Sequence, residues 1–403
     1  MPLLDEQLRE ELERLSNDGL LRRLRRIDML TSHELHVHGH GRLDFSSNDY
    51  LGLSRHPRVI EAAQRATKDW GASSRGSRLI CGSLAVHHEL EELLAAWKDQ
   101  EAALLFSSGY AAASGVIPAL ASADDLILAD RLIHACCLDG IRLSRGQFRV
   151  FQHNDMEHLE NLLIRARRTR NHRKSFRRIW IVAESVYSMD GDVAPIRRLV
   201  ALKEKYGAYL LLDEAHATGL YGNRRTGLAE AMGVSSQIDV HLGTLGKAIG
   251  SSGGYICGSR ILIDYLINRS RSLIFSTAPP PGASAAAAAA VGLINGEEGR
   301  VRCQVTWENA RRLNQGFAGN QNNLKTVQSA ILLWHVGESQ AALELSSRLL
   351  DQGIFVPPIR YPTVPKGEAR LRFTVSAEHT HAQIDQVAES VRKCSALAPQ
   401  GAF

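Results

Sequence analysis

Between residues 55 and 260 the chain repeats short unbroken apolar runs: "AALLF" (102–106), "LILA" (126–129), "IWIVA" (179–183), "YLLLD" (209–213) and "GYICG" (254–258). Amphipathic segments of helix length separate them. Unbroken apolar runs suit strands buried on both faces, and their alternation with helices predicts an α/β fold whose parallel or mostly parallel sheet is covered by helices. Upstream, residues 4 to 27 mix apolar and charged positions at helical spacing, and "SHELHVHGHGRLDFSSND" alternates like a short hairpin. At "FSTAPPPG" (275–282) three prolines break the rhythm, and a long Ala-rich helix then leads into a smaller α+β region ending near residue 395. The pattern predicts an N-terminal arm and hairpin (1–45), a large domain (46–282) and a small C-terminal domain (283–403).

Composition changes this picture little. With 44% hydrophobic and 23% charged residues the 403-residue chain is an ordinary globular protein. The segment "RARRTRNHRKSFRR" (165–178) carries eight positive side chains, more than the whole formal net charge of +5, so the basic character is local. It has a single aromatic, Phe176, and reads as a solvated helix end and loop rather than a nucleic-acid surface. Six scattered cysteines without a CxxC pair argue against a disulfide framework or a zinc site, and imply a reducing cytoplasm. The first residues mix acids and bases where a signal peptide needs an apolar core, and no apolar run has membrane-spanning length.

The chemistry concentrates at strand ends. "YLLLDEAHATG" (209–219) runs an apolar strand into Asp213 and then His216, while Thr244 and Lys247 stand in "GTLGK", 34 residues beyond Asp213 at the lysine. That is room for one helix and one strand, so two successive strand ends could face one crevice. Taken singly, Asp213 could cap a helix, His216 could be a satisfied core histidine and Lys247 a surface lysine. Taken together, a lysine, an acid and an imidazole match the needs of pyridoxal phosphate: a Schiff-base partner, a counter-charge for the ring nitrogen and a donor to the phenolic oxygen. "SSGYAAASG" (107–115) follows the strand "AALLF" and opens a helix, which offers free N–H groups to a phosphate. Two other motifs fail. "HLGTLGKAIGSSGG" lacks the first glycine and the Ser or Thr of a phosphate-binding loop, and "GHGRLD" lacks the third glycine of a dinucleotide fingerprint. His36, His38 and His40 alternate along a possible strand, but the segment is short, and no metal site is expected there.

In these residues the sequence resembles the α-oxoamine synthases, pyridoxal-phosphate enzymes of the fold type I class. The likeness covers nearly the whole chain: "DFSSNDYLGLS" (44–54), "SRGSRLICGSLAVHHELEELLAAW" (74–97), "FSSGYAA" (106–112), "VYSMDGD" (186–192), "LDEAHATGLYG" (212–222), "GTLGKAIGSSGGY" (243–255), "IFSTAPPP" (274–281) and "PTVPKGEARLRFTVSAEHT" (362–380). The resemblance implies that Lys247 holds the cofactor, Asp213 pairs with the ring nitrogen, and His216 with Ser188 bonds the phenolic oxygen. It implies that His134 of "DRLIHACC" stacks on the ring. Ser108, Gly109, Tyr110 and Thr244 are assigned to the phosphate side, and Glu184 joins the cofactor set. It further implies a homodimer with shared sites, Ser276 and Thr277 reaching the neighbour's phosphate and Asn48 entering from the partner. Arg372 is the position expected to meet the substrate carboxylate, with Arg370 on the same strand face as a possible confusion and Arg22 and Arg360 as secondary candidates.

The reaction implied is a decarboxylative condensation of an amino acid with an acyl-CoA or acyl-carrier-protein thioester. "SRLICGSLAVHHELE" and "IRYPTVPKGEARLRFT" look most like the member that joins L-alanine to a pimeloyl thioester in biotin synthesis; glycine C-acetyltransferase activity is the rival. A binding protein using the 165–178 segment is the remote alternative, and neither nucleic acid nor membrane is an expected partner. Two positions depart from the family pattern: Ala113 after the phosphate strand, and Ile133 before His134.

Overall fold

The computed structural model describes residues 3–31, 33–37, 39–168, 176–317 and 326–396. Residues 169–175 of the basic segment and His38 lie outside them. The chain forms two compact units, one of residues 48–305 and one joining 1–47 to 306–403.

The second of these begins with helix α1 (Leu3–Asn17), whose leucines are all exposed. Strands β1 (Met29–Leu30), β2 (Glu34–Val37) and β3 (His40–Asp44) follow as an antiparallel ribbon, the hairpin expected from the alternation.

The unit of residues 48–305 opens with α2 (Pro57–Trp70) and α3 (Ala85–Lys98). Its sheet contains β4 (Ala102–Phe106), β5 (Leu126–Asp130), β6 (Gln147–Phe151), β7 (Ile179–Glu184), β8 (Tyr209–Asp213), β9 (Val240–Thr244) and β10 (Gly254–Gly258). Helix α4 (Gly109–Leu120) follows β4, and α5 (Ala135–Leu143) follows β5. The seven strands lie in the order β4-β10-β9-β8-β7-β5-β6. All neighbours run parallel except β10, which is antiparallel to both β4 and β9. Five of the seven are the predicted apolar runs. Strand β6, "QFRVF", was not foreseen: it is an edge strand with four of its five residues exposed, so it lacks the apolar signature of its neighbours.

The helix Pro281–Asn295 packs on α2 and α3, so the large unit extends beyond the expected boundary at 282 and ends within the helix Glu297–Gly316. The proline run marks a helix start, with Pro281 at its first position, where proline costs no backbone hydrogen bond. Beyond it, β11 (Ile331–Gly337), β12 (Ile354–Phe355), β13 (Pro358–Ile359) and β14 (Ala369–Thr374) complete the other unit. There β12 pairs parallel with β3, which ties the N-terminal hairpin to the C-terminal residues. Among the described residues, no helix is long and apolar enough to cross a membrane.

Candidate active site

The carboxyl ends of β7, β8 and β9 put Glu184, Asp213 and the loop carrying Lys247 side by side, because Glu184 is the cross-strand partner of Asp213 and Asp213 that of Leu242. Asp213 is buried, and its Oδ1 accepts a hydrogen bond from the Ala215 N–H at 2.9 Å. Burial, with Cys136 adding to it, raises its pKa to about 6. Glu184 is buried too, and burial followed by the nearby Asp213 pushes it up to about 8. Its Oε1 has no hydrogen-bond partner among the described residues. Asp213 makes no ion pair with a side chain of this chain among the described residues. Lys247 and His134 offset these rises only in part, so a further cationic group against the two carboxyls is favoured.

His216 stands between a tyrosine and the lysine. Its Nδ1 lies 2.7 Å from the Tyr50 hydroxyl, and its Nε2 lies 2.8 Å from Lys247 Nζ. Tyr50, fully buried, also reaches Asn48 Oδ1 at 3.2 Å. Asn48 therefore connects to His216 of its own chain through Tyr50. Tyr50 is a site residue the sequence reading did not single out. The available signal was a hydroxyl-bearing ring inside the "SSNDYLGL" motif.

The phosphate-side loop sits at the end of β4. Ser108 caps α4, accepting from the Ala111 N–H at 3.0 Å, and Gly109 follows at the first helical position. A side chain at Gly109 would stand 3.4 Å from Thr244 Cβ, so the loop and Thr244 adjoin. Close approach is built in: a Cβ on Gly254 would come within 2.4 Å of the Ser108 carbonyl oxygen. Tyr110 is exposed, and its hydroxyl donates to Asp139 at 2.7 Å. The N-terminus of α4 and the adjoining Thr244 suit a phosphate.

His134 caps α5, its Nδ1 accepting from the Cys136 N–H at 3.2 Å and lying 3.0 Å from Cys136 Sγ. The contact with Cys136 raises its pKa. The hydrogen bond from Cys137, and after it that to His134, bring Cys136 down to about 5, in keeping with a thiol at a helix N-terminus. Cys136, Cys137 and Asp213 bring their donor atoms within 4.8 Å of one another. Spacing alone did not suggest this grouping, because the third donor comes from a strand far along the chain. Ser188 is buried in the turn after β7. Of the two departures, Ala113 is fully buried in the core beneath α4, close to Gly140 of α5, and Ile133 packs on the same core.

The remaining candidates are carried by other elements. Ser276 and Thr277 follow the short helix Arg271–Ile274, with Thr277 exposed and bridged to Ser77. In the other unit, Arg22 and Arg360 line one groove of about 1390 Å³ with Thr363, whose hydroxyl accepts from Arg22 at 3.4 Å. Arg360 also donates to the Gly19 carbonyl. Arg372 and Arg370 are both buried on β14, and Arg370 is held by Glu368 at 3.3 Å. At the two ends of the basic segment, Arg167 donates to the Tyr206 carbonyl at 2.7 Å and Arg178 pairs with Asp125 at 2.8 Å.

A sheet with functional groups at adjoining strand ends, closed by one antiparallel strand, defines a class. The family model for aminotransferase class I and II matches residues 41–391, and the chain belongs to that family, with a fold type I architecture. Within it, the chain is 44% identical over 382 residues to an 8-amino-7-oxononanoate synthase of Geotalea daltonii, covering 95% of this chain and 96% of the relative. It is 36% identical to 8-amino-7-oxononanoate synthase 1 of Bacillus velezensis, covering 97% of each. A serine palmitoyltransferase from S. paucimobilis solved with bound PLP superposes with a TM-score of 0.90 at 29% identity, over 98% of this chain and 99% of that one. An 8-amino-7-oxononanoate synthase from Francisella tularensis gives 0.73 at 26% identity, over 87% and 97%.

Proposed function

We propose that this protein is a pyridoxal-phosphate enzyme that condenses L-alanine with a pimeloyl thioester, giving 8-amino-7-oxononanoate, carbon dioxide and the free thiol. The observation that carries the cofactor reading is the meeting of Lys247 Nζ and His216 Nε2 at 2.8 Å near the buried Asp213, whose pKa burial raises. The substrates follow from the near full-length likeness to relatives that bear this activity in their names.

Bound pyridoxal phosphate supplies an electron sink for the charge left on the amino acid's α-carbon. Lys247 would hold the cofactor and, as a free amine, would take the substrate's α-proton on Nζ, a role suited to a half-buried amine. Asp213 faces the ring nitrogen and keeps it protonated, with Glu184 next to it. His216, oriented by Tyr50, and Ser188 donate to the phenolic oxygen. His134 would stack on the cofactor, and Ser108, Gly109, Tyr110 and Thr244 would hold its phosphate. Arg372 pairs with the substrate carboxylate, while Arg22 and Arg360 belong to the substrate groove.

The active form proposed is a homodimer in which Ser276 and Thr277 complete the partner's phosphate site and Asn48 contributes at the shared boundary, working in the cytoplasm. Mixing two inactive variants, Lys247→Ala and Thr277→Ala, restores part of the activity if sites are shared, and no recovery contradicts it. The deciding experiment for the reaction is thiol release from a panel of acyl-CoA and acyl-carrier donors with alanine or glycine. Alanine with a pimeloyl donor is the expected best pair. Preference for glycine with acetyl-CoA overturns the reading in favour of glycine C-acetyltransferase.

A further inference from the structure

Behind the loops that carry His134 and Ser188 lie two carboxylates and an imidazole to which the proposed reaction gives no part. Asp130 ends β5 fully buried, and its Oδ1 lies 2.9 Å from His153 Nδ1 while accepting from the Leu132 N–H at 2.8 Å. Its Oδ2 accepts from the Asn154 N–H at 2.9 Å. On the other side of the ring, His153 Nε2 lies 2.7 Å from Asp192 Oδ2. Asn154, in the left-handed region at φ 54, donates Nδ2 to the same Asp192 oxygen at 3.0 Å and to the Val193 carbonyl at 3.2 Å. An imidazole with a carboxylate against each nitrogen holds both protons and bridges two anions as a cation. Asp130 and then Asp192 outweigh burial and raise His153 to about 10.

The bridge closes on a hairpin turn. Val186 pairs with Val193, the Tyr187 N–H donates to the Asp192 carbonyl at 3.0 Å, and the Gly191 N–H donates to the Tyr187 carbonyl at 2.8 Å. The Tyr187 ring stands edge-on to His153, 4.5 Å between centroids. Ser188 is the next residue in that turn and is buried.

We infer that His153 is a positioning residue: by bridging Asp130 and Asp192 it fixes the 187–192 turn against the end of β5 and so sets the Ser188 hydroxyl toward the cofactor's phenolic oxygen. The inference rests on the role proposed above for Ser188. Without the imidazolium, Asp130 and Asp192 face each other as like charges, and the turn loses the charged bridge that holds it to β5. A hydrogen bond weakens steeply with misalignment, so a modest drift of the turn is enough to lose it.

The test is spectroscopic and uses the holoenzyme: the pH midpoint of the bound cofactor's visible absorption band in wild type, Ser188→Ala, His153→Gln, Asp192→Asn and the double variant His153→Gln/Ser188→Ala. A hydroxyl donating to the phenolic oxygen draws off charge that otherwise retains the neighbouring proton. Ser188→Ala therefore raises the midpoint by about 0.5–1 unit, the scale of one hydrogen bond. His153→Gln and Asp192→Asn raise it in the same direction, and the double variant matches Ser188→Ala alone because both changes act through one contact. If His153→Gln does not fold, Asp192→Asn, at the more exposed end of the bridge, decides. Bridge variants at the wild-type midpoint beside a shifted Ser188→Ala, or a double variant showing the sum of both shifts, overturn the inference and leave the Ser188 role standing. A Ser188→Ala midpoint equal to wild type overturns that role and the inference with it.

Discussion

Asp213 and Glu214 are neighbours in sequence and both buried, yet their charges meet opposite surroundings. Glu214 has its partners inside the chain: the Lys98 counter-charge with Nζ at 3.3 Å, His241 Nδ1 at 3.3 Å and the Ala229 N–H at 3.0 Å. Against the effect of burial, Lys98 and then His241 pull it down to about 2. The backbone is shaped around it, since Gly227, at φ 152, could carry no Cβ without meeting Glu214 Oε1 at 2.4 Å. Asp213 accepts one backbone N–H and has another carboxyl across the strand; burial and then Cys136 drive it up, and Lys247 and His134 offset this only in part. One carboxylate is a structural pin satisfied by the fold. The other is prepared for a cation that arrives with the ligand.

The sharpest way to break the contrast is Lys98→Met. It takes the lysine counter-charge from buried Glu214 and costs about 3–5 kcal/mol of stability, measured by denaturation. The Glu214 contribution is present above pH about 4.5 and lost as pH falls toward about 2, because the folded state depresses this pKa. Next, Asp213→Asn leaves the protein folded and able to bind cofactor, but lowers turnover at least about a hundredfold, the scale of removing one electrostatic partner at a reacting centre; wild-type rates contradict its role. Arg372→Ala weakens amino-acid binding by about 1.5–3 kcal/mol, the worth of a charge-assisted pair, read as a raised Michaelis constant. Smallest is Cys136→Ser, which keeps the volume but removes the sulfur beside His134 and Asp213. It shifts cofactor affinity by less than about 1 kcal/mol in a fluorescence titration.

Much of this was legible in the sequence because strands buried on both faces advertise themselves: "YLLLD" and "GYICG" coincide with β8 and β10. The residues after them, Asp213, His216 and Lys247, could be proposed as a set because a strand end fixes where they emerge. Edge strand β6 could not be read, since exposure removes its apolar signature. Nor could Lys98, which meets Glu214 from a helix 116 residues earlier, or His153, whose two carboxylates come from a strand end and a separate turn. Such partners are chosen by tertiary approach, which local pattern does not encode. The proline run misled for a local reason: the same residues that stop one element also start the next.

The most direct test compares the unfolding free energy of cofactor-free wild type and Asp213→Asn between about pH 4 and 8, with and without added pyridoxal phosphate. Because the fold raises the Asp213 pKa to about 6, ionising it costs stability that grows as pH rises above about 4 and is complete somewhat above 6. The account predicts that without cofactor Asp213→Asn is the more stable protein by about 1–3 kcal/mol at pH 7, that the difference vanishes near pH 4, and that pyridoxal phosphate stabilises wild type more. An Asp213→Asn protein less stable than wild type at pH 7 without cofactor, or equal stabilisation of both by the cofactor, would contradict it.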